Sequence, residues 1–204
     1  MTTAWRRFPF TWLLILLGSI GVALYALFGY TLRPLGSIVH PEMKLAYEAN
    51  SLAVFTHIFA SLIALAIGPI QFRQELRQWS IALHRTLGRI YLLCVLVGGG
   101  AGLYISTIAY GGLVSTTGFM LLALLWLFTG FKALQSIRNK NVELHHRWMV
   151  RNFALTFAAV TLRAYLGLFF AVGVPFDEFY PLLAWISWVP NAIIADWVIL
   201  SKSE

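Results

Sequence analysis

The chain is expected to fold as an all-α integral membrane protein with six transmembrane helices, and three observations carry that expectation. Of its 204 residues, 59% are hydrophobic and only 11% are charged, against roughly a quarter charged in soluble domains. Six apolar runs of about 20 residues each are long enough, as helices, to cross a hydrocarbon core of roughly 30 Å. Basic residues are concentrated in alternate connections, the pattern that short cytoplasmic loops impose.

The first run, 9–30, follows Arg6 and Arg7 as a signal peptide would, but it is longer than such an apolar region and no Ala-x-Ala site closes it. A retained helix is expected. The second and third runs, 51–71 and 89–110, flank the basic segment QFRQELRQWSIALHR. The third contains Gly98-x-x-x-Gly102, a face on which a neighbouring helix or a flat group can approach closely. The fourth run, 112–134, leads into a second basic segment. The fifth, 152–173, carries Arg163, and the sixth, 180–200, ends at Asp196 and Trp197. Trp185, Trp188 and Trp197 suit the interfacial enrichment of tryptophan. No soluble domain fits in the connections, so one six-helix domain over 1–204 is expected, with its function built into the bundle or its rims.

The charge count orients this bundle. Counted with their flanking residues Arg89 and Lys132, the N-terminus, the 72–88 and 135–151 segments and the C-terminus hold twelve of the fifteen Lys and Arg residues, and two, Arg33 and Lys44, lie on the other side. Both termini are therefore expected in the cytoplasm, with the protein in the cell inner membrane. The net charge of +7 needs no nucleic acid; an anionic lipid surface suffices. The single cysteine, Cys94, excludes an intrachain disulfide and any paired-thiol metal site.

Two stretches share a pattern. His84-Arg85-x-x-x-Arg89-x-Tyr91 matches His146-Arg147-x-x-x-Arg151-x-Phe153. The match suggests a weak parallel repeat of helical hairpins, in which helices 2–3 correspond to 4–5 and form a four-helix core, with helices 1 and 6 added outside. With LHRTLGRIYLL and HHRWMVRNFALTFAAVTLRAYL, the segment from about His57 to Phe170 resembles a bacterial family of predicted polytopic membrane proteins with a domain of unknown function. That resemblance implies a fold and no activity. More loosely, the histidine-bearing hairpins are similar to cytochromes of the b561 and ferric-reductase type, which implies haem b. Those proteins stack histidine pairs near both membrane faces, whereas here the outer half holds only His57.

The first candidate constellation is accordingly His84 with His145 or His146, on separate helices at one depth, as bis-imidazole ligation of a haem iron requires; His84 and His146 are the pair the repeat favours. Arg85, Arg89, Arg147 and Arg151 would meet the propionates as guanidinium forks. The same residues also suit plain interfacial anchoring to loop carbonyls and lipid phosphates. No His-Glu-x-x-His spacing favours zinc.

The second constellation is His57 with Arg163. An arginine near mid-membrane costs a few kcal/mol even on lenient insertion scales, so it should face the bundle interior and have a partner. No carboxylate lies inside the outer half of any run. The partner is then a carboxylate folding inward, such as Asp177 or Glu178, or carbonyls and aromatic groups such as Tyr104 and Tyr165, or a bound anion or quinone oxygen. Asp196, a turn from the end of helix six, should meet an interfacial arginine. Three functions follow as expectations: a haem-b redox protein exchanging electrons with quinone near His57 and Arg163, a carrier or lipid-handling protein using Arg163 as counter-charge, and a non-enzymatic subunit or assembly factor of a membrane complex.

Overall fold

The computed structural model describes residues 9–201; Arg6, Arg7 and Lys202, which enter the charge count, lie outside the described residues. Ten helices follow in order: α1 (Pro9–Leu32), α2 (Pro41–Ala49), α3 (Ser51–Gln71), α4 (Gln74–Trp79), α5 (Ile81–Ser106), α6 (Gly112–Arg138), α7 (Val142–Thr156), α8 (Ala158–Ala171), α9 (Phe176–Ile186) and α10 (Val189–Leu200). Six of the resulting segments are long and apolar enough to cross a membrane, the fifth being α7 with α8 and the sixth α9 with α10.

Helix starts depart from the edges of the apolar runs, and capping explains why. The Ser80 hydroxyl accepts from Leu83 N–H at 3.2 Å, and Asn141 Oδ1 accepts from Leu144 N–H at 2.9 Å, each satisfying an orphan donor of a first turn. The third spanning helix thus begins at Ile81 and the fifth at Val142, eight and ten residues before the expected 89 and 152. His84, Arg85, His145, His146 and Arg147 are consequently helical, one turn inside their helices. Between α5 and α6 the chain reverses through Gly111 and Gly112, at φ 91° and 66°, a left-handed conformation that glycine adopts without a Cβ clash.

The core is a ring of four helices in which α3 packs on α5, α5 on α6, α6 on α7, and α7 back on α3. Across the ring α5 faces α7. The remaining pieces lie outside it: α1 on α3, α9 on α6, and α10 on α7. Helices two to five therefore form the core as the sequence suggests. The inward faces set His84 and Tyr91 of α5 opposite His145 and Asn152 of α7, one residue away from the His146 match.

Two spans are broken. In the fifth, the hydrogen-bond ladder passes from Phe157 N–H on Phe153 O to Val160 and Thr161 N–H, both on Phe157 O, and Asn191 Nδ2 reaches the Ala154 carbonyl at 3.3 Å. The sixth breaks at Ser187–Trp188, where the same Asn191 amide donates to Ser187 O at 3.1 Å and to Thr161 Oγ1 at 2.7 Å. A side chain inserted into the ladder is a recognised cause of such kinks. Beyond its break, α8 packs against α1 and α9 instead of the ring. At that far end Phe179, Tyr180 and Leu183 close with Met43 into a separate apolar cluster.

Candidate functional site

Among the described residues, polar side chains gather inside the spans at the arginine-rich end, in the middle of the ring and in the opposite half. At the basic end, His145 is half-buried, and its Nδ1 lies 2.8 Å from the Ala133 carbonyl of α6. A carbonyl only accepts, so Nδ1 carries a proton, and in the neutral ring Nε2 keeps the lone pair. Arg77, His145 when protonated, and Arg85 are the cationic groups that bear on His84. Its own Nδ1 is buried with no hydrogen-bond partner, an unmet group worth about 1–3 kcal/mol. His146 points outward, exposed, with its ring edge-on to Phe72 at 6.1 Å. The structure therefore brings His145, not His146, toward His84.

The arginines divide in the same way. Arg147 is held by Glu143 at 2.7 Å and Arg151 by Asp196 at 2.6 Å, with the Arg151 guanidinium also 4.8 Å from the Trp148 ring. These two are spent on ion pairs, and Asp196 has the interfacial arginine expected of it. Arg85 and Arg89 are exposed and make no ion pair among the described residues. Two shallow hollows at this end, of about 300 Å³ and 230 Å³, are lined by Asn141, Glu143, Leu144 and Arg147 and by Phe131, Leu134, Gln135, Arg138 and Asn139; neither is lined by His84 or His145.

Two turns deeper the diagonal of the ring is filled by a network that the sequence reading missed. Tyr91, fully buried, donates its hydroxyl to Asn152 Oδ1 at 2.7 Å and lies 2.8 Å from Thr156 Oγ1. Asn152 Nδ2 donates to Trp126 O and to Thr129 Oγ1, and Trp126 Nε1 donates to Thr156 Oγ1 at 2.8 Å. All of these groups are satisfied, so the network reads as a structural lock. Packing around it is close: a Cβ at Gly68 would collide with the Phe153 ring, and one at Gly130 would meet Val95 Cγ1 at 3.0 Å. The detectable signal was an asparagine inside an apolar run, as conspicuous as Arg163.

In the far half, His57 of α3 donates Nδ1–H to the Gly98 carbonyl at 2.8 Å. The glycine face of α5 makes room for it, since a Cβ at Gly102 would stand 2.9 Å from His57 Nδ1. The Gly98-x-x-x-Gly102 face thus receives a histidine and Ala60, in a helix–helix contact. Arg163 of α8 is half-buried. Its Nη1 donates to the Ala159 carbonyl at 2.9 Å, and its guanidinium lies 5.7 Å from the Tyr25 ring of α1. Its charge bears on His57 and on the hydroxyls of Tyr30 and Tyr47. No carboxylate of the described residues pairs with it. Asp177 and Glu178 are exposed in the first turn of α9, Tyr104 is turned to Asn50 at 2.7 Å, and Tyr165 packs into the far-end cluster. Burial pushes the Tyr47 hydroxyl up to about 12, so it stays a hydrogen-bond donor at physiological pH.

Arg163 thus has five N–H donors in a planar fork, and among the described residues one hydrogen bond engages them. Such a fork can hold an oxygen-bearing head group in a low-dielectric setting, where charge-assisted hydrogen bonds are strong.

No curated protein and no solved structure matches the chain. A family model does match, over residues 54–199, a stretch that runs from the second span to the sixth and holds His57, the Tyr91–Asn152 network, Arg163 and Asn191. The chain belongs to the family described as predicted membrane protein DUF2306.

Proposed function

We propose that the protein is a ligand-handling membrane protein of the carrier or lipid-binding class, with its site around Arg163. One observation carries this reading: an arginine inside a span, without a carboxylate partner, at the place where the fifth span breaks and leaves the four-helix ring. An intramembrane charge is a functional site by default because its burial is expensive and unselected for packing. Broken helices in adjacent spans are also the form in which carriers build binding sites near the midplane. The break supplies the bend, and the arginine supplies the counter-charge.

The test is ligand-dependent thermal stability of the purified protein with membrane-soluble compounds of three head classes: carboxylate, phosphate and quinone. At least one class should raise the unfolding midpoint, by RT ln(1 + [L]/Kd) in free energy, and Arg163→Gln should abolish the rise. If no class gives an Arg163-dependent rise, the reading fails.

A second reading is favoured by the basic end: a b-type haem in a membrane redox protein, exchanging electrons with quinone. His84 and His145 are turned inward on helices that face each other across the ring, which suits a bis-imidazole donor set. One imidazole is already fixed by Ala133 with Nε2 presented, as the ligands of metal sites commonly are, and the other has an unmet buried nitrogen. When bound, such a group would supply one-electron transfer. Arg85 and Arg89, unpaired, are the cations available to its propionates. Protein purified from haem-replete cells should then show the reduced-minus-oxidised spectrum of a low-spin b-type haem, at least ten-fold weaker in His84→Ala and in His145→Ala and retained in His146→Ala. A colourless, iron-free preparation removes this reading and leaves the Arg163 site untouched.

A further inference from the structure

The surroundings of Arg163 and its charge together specify a ligand. Helices α1 and α8 touch where a Cβ at Gly18 would stand 3.2 Å from Val160 Cγ1. Two turns beyond Gly18 on the same face of α1, Tyr25 is 53% exposed, and its ring lies 5.7 Å from the Arg163 guanidinium. The half-buried arginine is therefore bordered by an aromatic side chain that faces lipid in the far half.

The orientation of the guanidinium limits what can reach it. A cationic side chain in a span ordinarily extends toward the nearer membrane surface. Arg163 instead donates to Ala159 O, one turn nearer the middle of the span, although its own Cα is eight residues, about 12 Å along the helix, from the far end at Ala171. A phospholipid phosphate, fixed at the surface by its head group, is poorly placed to meet it. A neutral quinone oxygen could accept a hydrogen bond but would leave the charge uncompensated. A carboxylate on a single alkyl chain meets both demands: it neutralises the guanidinium, matches the planar fork with two oxygens, and can approach from the lipid-facing side, past Tyr25.

Resting on the Arg163-site reading above, we propose that the lipid-facing side of the α1–α8 contact binds a single-chain amphiphilic carboxylate of the long-chain fatty acid type, with its head group on Arg163 and its chain against Tyr25.

The experiment uses the full chain in nanodiscs of phosphatidylcholine and measures equilibrium binding of radiolabelled palmitate, with methyl palmitate, phosphatidylglycerol and decylubiquinone as competitors. Palmitate should bind saturably. Arg163→Gln should weaken it on the order of ten-fold or more, and Arg163→Lys by less, because it keeps the charge and loses the fork. Methyl palmitate should not compete. Both variants ease or preserve the burial of this position, so insertion is not at risk. Competition by methyl palmitate equal to that of palmitate, or equal palmitate affinity in Arg163→Gln, overturns the carboxylate assignment. If decylubiquinone or phosphatidylglycerol binds in an Arg163-dependent way while palmitate does not, the ligand class is wrong and the site reading stands. If nothing binds in an Arg163-dependent way, both fall together.

Discussion

Asn152→Leu should lower the unfolding free energy by about 2–4 kcal/mol, which steric trapping in bicelles can measure. The substitution removes three hydrogen bonds at once: the one Asn152 accepts from Tyr91 and the two it donates to Trp126 O and Thr129 Oγ1. Individual side-chain hydrogen bonds between membrane helices average about 0.6 kcal/mol and reach about 1.7, so the sum falls in that range. Leucine matches the amide in size, which keeps cavity formation out of the result. Tyr91→Phe should cost less, since it removes one hydroxyl whose loss leaves Asn152 Oδ1 without its donor. The two residues face each other across the ring, so a double-mutant cycle should show coupling of about 1 kcal/mol. A loss within about 0.5 kcal/mol of zero for Asn152→Leu, or additivity in the cycle, would falsify the account of this network as the lock between α5, α6 and α7.

That network also marks what the sequence could and could not reveal. Six spans were legible because hydropathy and length decide them independently of packing. Helix starts were not, since the caps at Ser80 and Asn141 extend α5 and α7 into polar sequence that hydropathy excludes. Arg163 was legible from its cost alone. Its surroundings were not: Tyr25 meets it only because α8 leaves the ring and packs on α1, and nothing local announces that departure. No proline or glycine stands at Thr156–Phe157–Ala158; the break there takes its donor from Asn191, 37 residues from Ala154 in sequence. That His145 rather than His146 turns toward His84 has a related cause. Aligning the two motifs letter by letter compares sequence positions, whereas the seven-residue spacing from His145 to Asn152 reproduces that from His84 to Tyr91 and puts both pairs on inward faces.

Asn191→Leu should separate stability from binding. One amide serves the breaks of both spans, through Ala154 O and Thr161 Oγ1 in the fifth and Ser187 O in the sixth, and a carbonyl freed from its ladder inside a membrane needs a replacement donor. Without that amide, the fifth span gains by restoring main-chain hydrogen bonds across residues 154–161, which draws α8 back toward the axis of α7. Arg163 lies two residues past Thr161 and moves with it. The expected loss of stability is about 1–3 kcal/mol, comparable to or smaller than that of Asn152→Leu. The expected loss of Arg163-dependent ligand stabilisation is much larger, down to the level of Arg163→Gln. Asn152→Leu lies in the basic half and leaves α8 and α1 in place, so it should keep that ligand response at matched temperatures below its own midpoint. Thermal-shift and palmitate-binding measurements on the two variants, side by side, decide the matter. Equal ligand response in both would mean that the break does not position Arg163, and that the angle of α8 is set by its packing on α1 and α9 alone.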